Sequence, residues 1–385
     1  MFRQAVPRNR RQFLKYCSAG ALTLAAATQF PGLLAQESAP EWVSLGALGK
    51  PRGVSFGFAL NPLLIETNAA YAGLVARECT IAVPENVLKW AHVHPQPETY
   101  SFGRPDLLLA FTQKHGIRFR GHNFCWHLDL PGWLTRTATK DSSESILRDH
   151  ISTVAGRYKG RMHSWDVVNE GVQLRDGLPD GLRNSFWYRM LGPRYFDIAY
   201  DAAHRADPAA LLTYNDFGLE YDNLADPAKR TAVLALLSSM IKRGVPIHAL
   251  GMQSHLRAGS GEKFGPGLQT FLKQVRDLGL QVFITEMDMD DHRLKLEGPA
   301  REQAIVDIYK RYLEIMLDSG DVPVVITWGV WDTPHFTGAE AAGGPVSEHP
   351  LLFREDGSPK AEAFAVAECI RQARPQLTPQ QPANA

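Results

Sequence analysis

The chain has 385 residues, 44% of them hydrophobic and 21% charged, which is the balance of an ordinary globular protein. Its 41 basic and 41 acidic residues cancel. Five of the basic ones (Arg3, Arg8, Arg10, Arg11, Lys15) lie in the first 35 positions, which hold no acid, so the remainder carries 36 against 41. A mildly acidic body has no electrostatic reason to seek nucleic acid or anionic lipid, and both are excluded as expected partners.

Residues 1–35 read as an export address. Asn9-Arg10-Arg11-Gln12-Phe13-Leu14-Lys15 precedes a weakly apolar stretch, Ala19 to Ala27, with small residues near Ala35. Paired arginines followed by Phe-Leu-Lys resemble the twin-arginine signal, which implies the twin-arginine export machinery as a partner and a periplasmic or secreted destination. A packed amphipathic helix is the poorer reading, because Pro31-Gly32 and the run at 36–40 would stop it. Elsewhere no stretch reaches the eighteen or so apolar residues that cross a bilayer, so no membrane anchor is expected. Residues 36–52 read as a lead-in, 53–372 as one catalytic domain and 373–385 as a disordered Pro/Gln-rich tail. A monomer is expected.

Within the domain, short apolar runs alternate with longer segments of helical period. The expected strands are Val54–Ala59, Cys79–Val83, Arg118–Asn123, Ser164–Val168, Leu211–Asn215, Ala249–Gln253, Val282–Thr285 and Val324–Trp328. They lack strict polar alternation, as parallel strands buried on both faces should. Between the third and fourth, Leu147, Ile151, Val154 and Tyr158 recur at helical spacing, and Asp141 with Glu144 offers a capping box. Eight strands alternating with helices predict an α/β fold, a (β/α)8 TIM barrel. An open doubly wound sheet is disfavoured, since no Gly-x-Gly-x-x-Gly follows the first strand. Of the four cysteines, Cys17 lies in the signal; Cys79, Cys125 and Cys369 have no paired spacing and read as small buried residues.

Polar and aromatic residues gather at the carboxyl ends of the expected strands, the rim that carries catalysis in such barrels. Glu85, Asn86 and Lys89 follow the second strand, and His122, Trp126 and His127 the third. Asn169 and Glu170 follow the fourth, Asn215 and Asp216 the fifth, Gln253 and His255 the sixth; Glu286 and Asp288 end the seventh and Trp328 the eighth. The fourth and seventh strands of a closed eight-stranded barrel face each other, so Glu170 and Glu286 are expected in one cleft. Breaking a sugar acetal requires an acid for the leaving oxygen and a second carboxylate on the opposite face of the ring. The charge of Glu286 is expected to raise the pKa of Glu170 and keep it protonated. The alternative for each is a structural ion pair, with Lys89 or Arg120 as partner.

Several segments carry a specific resemblance. They are Glu85 to Trp90, Gly121 to His127, Trp165 to Glu170, Tyr214-Asn215-Asp216, Gly251 to Leu256, Ile284 to Asp288, and Trp328-Gly329-Val330 with Asp332. In order and spacing, across roughly 54–365, the chain resembles glycoside hydrolase family 10, the retaining endo-β-1,4-xylanases. The resemblance implies Glu170 as acid/base and Glu286 as nucleophile, with xylan or xylo-oligosaccharides as substrate and no cofactor or metal. It implies that Asn169 bonds the 2-hydroxyl of the cleaved sugar, that His255 with Asp288 orients the nucleophile, and that Asp166 and Gln253 support the site. It implies further that Glu85, Asn86, Lys89, His122, Trp126 and Asn215 hold sugar and that Trp328 walls the cleaved residue. His127 reads as readily as a structural histidine as a ligand-binding one.

Three positions depart from the family pattern: Phe336 stands where a second tryptophan is usual, Asp129 for a glutamine, and Gly218 for an asparagine. They bear on substrate choice, between xylan, decorated xylo-oligosaccharides and β-glucan. His92-Val93-His94 invites a metal-dependent amidohydrolase reading, but it lies in a loop after the second strand, whereas such sites place the pair at the end of the first. A non-catalytic carbohydrate-binding protein would have no need of opposed carboxylates.

Overall fold

The computed structural model describes residues 42–332 and 350–376. Nine strands are present among them: β1 (Ser55–Leu60), β2 (Ile81–Pro84), β3 (Arg118–Cys125), β4 (Ser164–Asn169), β5 (Leu211–Asp216), β6 (Ala249–Met252), β7 (His255–Arg257), β8 (Gln281–Asp290) and β9 (Val324–Thr327). All pair in parallel. β1 to β6 follow in order, β6 also pairs with β8, and β9 closes the ring by pairing with both β8 and β1. The eight expected strands therefore form a closed (β/α)8 barrel. The ninth, β7, is a short addition laid along the outer end of β8, with His255 opposite Asp288.

β1, β4 and β5 are buried at every position, as continuous apolar runs covered on both faces must be. Ala59, Ile81, Val83, Leu211, Ala249, Phe283, Val324 and Ile326 form one buried cluster. It draws on six of the eight barrel strands, which places it inside the barrel. Trp328 packs on that cluster, so the floor of the site is the top layer of the core.

The helix expected from Leu147 to Tyr158 runs Lys140–Arg157, with Leu147, Ile151 and Val154 buried. Its cap is not Asp141 with Glu144. Extended Thr139 accepts from the Ser142 N–H, and the Ser142 hydroxyl returns the contact to the Thr139 N–H. Glu144 is drawn instead to Arg148 and Arg194. The expected domain limits also move. The described residues from Val43 belong to one compact unit; the Leu45 N–H donates to Glu78 at 2.8 Å, and Lys50–Arg52 form a 3-10 turn. At the other end Gln376 is buried. Its N–H donates to the Arg52 carbonyl, its Oε1 accepts from Val322 N–H, and its Nε2 donates to the Leu317 carbonyl. One amide thus satisfies backbone groups of two elements that would otherwise be orphaned. The start of the lead-in, the signal region and the rest of the tail lie outside the described residues, as does Phe336. Cys79, Cys125 and Cys369 are buried and form no disulfide. Among the described residues no helix is long and apolar enough to cross a membrane.

Candidate active site

Glu170 sits one residue beyond β4, where the backbone enters the left-handed region at φ 56°. A side chain with a Cβ rarely adopts that conformation. Two contacts hold it there: the Glu170 N–H donates to the Asn215 carbonyl at 2.8 Å, and Arg183 Nε donates to the Glu170 carbonyl at 2.6 Å. Glu286 lies within β8, where the register with β9 shifts between Ile284 and Met287. Its N–H donates to the Gln253 carbonyl at 3.0 Å, and the residue is 5% exposed.

One hydrogen-bonded network joins the two carboxylates. Gln253 Nε2 donates to Glu170 Oε1 (3.2 Å) and to Asn169 Oδ1 (3.1 Å). Asn215 Nδ2 donates to the same Asn169 oxygen (2.9 Å) and to Glu286 Oε1 (2.6 Å), while Thr285 Oγ1 fixes the other end of Asn215 at 2.7 Å. Both acceptor sites of Asn169 Oδ1 are filled, so its amide group is turned toward Glu170 Oε1, 3.4 Å away. On the far side of Glu286, His255 Nε2 lies 3.5 Å from Oε2, and its Nδ1 meets Asp288 at 2.8 Å.

These surroundings push the two carboxyls in opposite directions. Burial raises the pKa of Glu170, and the charge of Asp216 adds to it; Trp126, Arg183 and Gln253 pull it partly back. Burial would raise Glu286 as well, but the His255 hydrogen bond, the nearby charges of His122 and His255, and Asn215 hold it below its ordinary value. His255 itself is held well above its ordinary value: burial opposes its charge, and Asp288 and Glu286 overcome that opposition. The rise in Glu170 thus comes first from burial and then from Asp216, rather than chiefly from Glu286 as expected. Nor do Lys89 and Arg120 pair with either glutamate. The ionisable neighbours of Glu170 are Arg183 and the neutral His127, each 3.6 Å from Oε2.

A model of glycosyl hydrolase family 10 matches residues 44–369. The chain belongs to glycosyl hydrolase family 10. It is 35% identical over 307 residues to a beta-1,4-xylanase of Dictyoglomus thermophilum, spanning 77% of this chain and 84% of that protein. It is 34% identical over 344 residues to an endo-1,4-beta-xylanase B of Thermotoga neapolitana, spanning 86% and 92%. In structure it resembles xylanase 10B from Thermotoga petrophila, solved in complex with xylobiose: the TM-score is 0.78 at 31% identity, covering 87% of this chain and 99% of that one.

The remaining residues of this family-10 site divide into an open edge and a buried frame. At the edge Lys89 Nζ donates to Asn86 at 2.7 Å, stands 4.7 Å over the Trp126 ring and 5.9 Å over Trp328, and lies 3.6 Å from Asp129. Glu85 accepts from Asn61 at 3.4 Å. These residues converge as expected, and Asp129, one of the departures, faces Lys89. Gly218, another departure, has φ 69°, a conformation that suits glycine better than asparagine.

Two further expected sugar ligands, Asn215 and His122, are buried in the frame. Asn215 is fully buried and bonded to Asn169, Thr285 and Glu286, so it holds the Glu286 carboxylate in place. His122 is 2% exposed, with Nδ1 on Asp166 at 3.0 Å and Nε2 on Asn123 at 3.1 Å; Asp166 also holds Arg120. His127 stands 3.6 Å from the acid/base candidate, and burial, then the charge of Arg183, lower its pKa to about 4, leaving it neutral. His94 is taken up by a stack with Tyr100 and His150. No group of three or more His, Cys, Asp or Glu among the described residues could hold a metal ion.

Arg183 and Asp216 stand beside Glu170, although sequence reasoning assigned a role to neither. Asp216 was within a quoted motif, but only the fold shows it buried beside Glu170, bonded to Lys229 at 2.7 Å and to the Tyr214 hydroxyl. Arg183 gave no signal at all, since it reaches Glu170 from a loop thirteen positions on.

Proposed function

We propose that the chain hydrolyses internal β-1,4-xylosidic linkages of xylan with retention of configuration, Glu286 acting as nucleophile and Glu170 as acid/base. One observation carries the assignment of roles: two glutamates in a single hydrogen-bonded network are pushed apart in pKa, Glu170 up and Glu286 down. Such opposed environments are how acid and base roles are divided between like groups. Membership of family 10 and the xylanase names of the relatives support the substrate.

In the first step the ionised Glu286 attacks the anomeric carbon while Glu170 delivers its proton to the departing sugar oxygen, giving a glycosyl ester on Glu286. In the second, Glu170, now ionised, takes a proton from water as that water attacks the same carbon and Glu286 leaves. The Asn169 amide is placed to bond the 2-hydroxyl as positive charge grows on the ring. Glu85, Asn86, Lys89 and Trp126 grip the neighbouring sugar, and Trp328 supplies an apolar wall. Fixed hydrogen bonds around Glu286 mean that little reorganisation is needed when its charge moves to carbon.

Three measurements test this reading. Glu286→Gln removes turnover of unactivated xylan in a folded protein. Glu170→Ala loses most on poor leaving groups, and azide partly restores turnover of activated aryl glycosides. The first-formed anomer by NMR is β. Substantial residual activity in Glu286→Gln, equal losses on good and poor leaving groups, or an α product would overturn it. Paired assays on xylan and carboxymethylcellulose separate xylanase from β-glucanase action. The paired arginines at 10 and 11 support export by the twin-arginine route; Arg10→Lys with Arg11→Lys then traps the protein in the cytoplasm, and unchanged export would refute the route.

A further inference from the structure

Behind Glu170, on the side away from Gln253, lies a small enclosed chamber lined by Trp126, His127, Glu170, Arg183, Trp187 and Tyr195 among others. It offers the centre of a water-sized sphere about 10 Å³, roughly the room one water needs. Three buried polar atoms of its lining have no hydrogen-bond partner within the protein: His127 Nδ1, Arg183 Nη2 and Trp187 Nε1. Trp187 is 1% exposed. Buried polar groups left unpaired are costly, so three at one chamber call for a guest that can satisfy them. His127 Nδ1 and Arg183 Nη2 each stop 3.6 Å from the same oxygen, Glu170 Oε2, too far for a direct hydrogen bond and a spacing at which water bridges.

We propose that Trp187, Arg183 and His127 enclose one water molecule behind Glu170, and that this water donates to Glu170 Oε2 and favours its ionised form. The inference rests on the acid/base reading of Glu170. With His127 in the tautomer that leaves Nδ1 free of its proton, a single water satisfies the count. The indole and guanidinium N–H groups can only donate, so Trp187 and Arg183 fill both acceptor positions of the water. Its two hydrogens then go to acceptors, the neutral His127 Nδ1 and Glu170 Oε2; Trp126 Nε1 reaches toward the same carboxylate. A water held in this sense cannot turn round to accept from a protonated Glu170. It therefore works against burial and Asp216, and helps Glu170 to give up its proton in the first step and to act as base in the second. The titratable and charged groups near Glu170 are Arg183 and the neutral His127 on the chamber side, Asp216 with its partner Lys229 from β5 and the following helix, Asp176 beside His127, and Glu286 across the cleft. An anion in the chamber would stand against Glu170 and Asp216 and be repelled.

Trp187→Phe is the decisive variant, because it deletes one donor to the water without removing any group that touches Glu170. Freed of that donor, the water can accept from the protonated carboxyl. The basic limb of kcat/KM should then rise by about one pH unit, the lower end of the effect of losing one hydrogen bond to an ionised carboxylate. A purely structural role for Trp187 would lower kcat at every pH and leave the limb in place, which overturns the proposal. Glu170→Gln in the same assay separates the two readings. If it retains the basic limb, the acid/base assignment is wrong; if it loses the limb while Trp187→Phe leaves it unmoved, only the water is wrong. Should Trp187→Phe fail to fold, a high-resolution crystal structure of the unaltered protein decides. A single water about 3 Å from Trp187 Nε1, Arg183 Nη2, His127 Nδ1 and Glu170 Oε2 is expected. A dry chamber, or an anomalous bromide peak there after a bromide soak, would overturn it.

Discussion

Asp288→Asn isolates the electrostatic hold on the nucleophile. Asp288 receives the Nδ1 proton of His255 at 2.8 Å, and the asparagine oxygen can accept the same bond, so the ring keeps its place while the charge that sustains the imidazolium is lost. His255 Nε2 lies 3.5 Å from Glu286 Oε2. At that distance two unit charges attract by about 5 kcal/mol at an effective dielectric constant near 20, before the cost of desolvation is taken off. An opposite charge this close lowers a carboxyl pKa by about one to three units after that cost. With His255 neutral, Glu286 follows its burial upward. The sign is then fixed: Glu286 must be ionised to attack, so the acid limb of kcat/KM moves to higher pH by about one to three units. Below the limb each unit is a further tenfold loss, while the basic limb, set by Glu170, stays where it was. The assay is initial rates on xylotetraose, whose sugar leaving group needs acid assistance, across about pH 4 to 9, with thermal melts confirming that the variant is folded. A uniform fall in rate at all pH, with the acid limb unmoved, would show that His255 orients Glu286 without charging its surroundings.

Three further outcomes follow from the same geometry. Asp216→Asn removes the charge that, after burial, raises Glu170 most, so the basic limb should move to lower pH with the acid limb unchanged, read from the same profiles. Gly121→Ala would bring a Cβ within 1.9 Å of the buried Trp165 ring, whose Nε1 is anchored on Asp207 at 3.0 Å; overpacking of about 1–3 kcal/mol should appear as a lowered denaturation midpoint without a changed pH profile. Exhaustive dialysis against EDTA should leave xylan hydrolysis unchanged, because the proposed protonation by Glu170 and attack by Glu286 need no Lewis acid; a loss restored by added divalent metal would refute that proposal.

Much of this protein was written in local pattern. Apolar runs without alternation marked eight strands that must be buried on both faces, and their spacing left only a closed barrel with Glu170 and Glu286 over its carboxyl rim. That much requires nothing but the period of burial and the chirality of β–α–β connections. The short β7 escaped, because three residues pairing along the end of β8 leave no periodic trace. So did the cap at Thr139, where two hydroxyls outcompeted a carboxylate drawn away by arginines distant in sequence. What only tertiary structure shows is the difference between the surroundings of the two glutamates. Glu170 owes its raised pKa to burial and to Asp216 on the neighbouring strand, and Glu286 its lowered one to His255, whose charge in turn depends on Asp288. Asn215 is bonded to Glu286, and Arg183 stands beside Glu170 from a loop with no motif of its own. Electrostatic energy depends on distance and dielectric, and neither exists until strands far apart in the chain have been brought side by side.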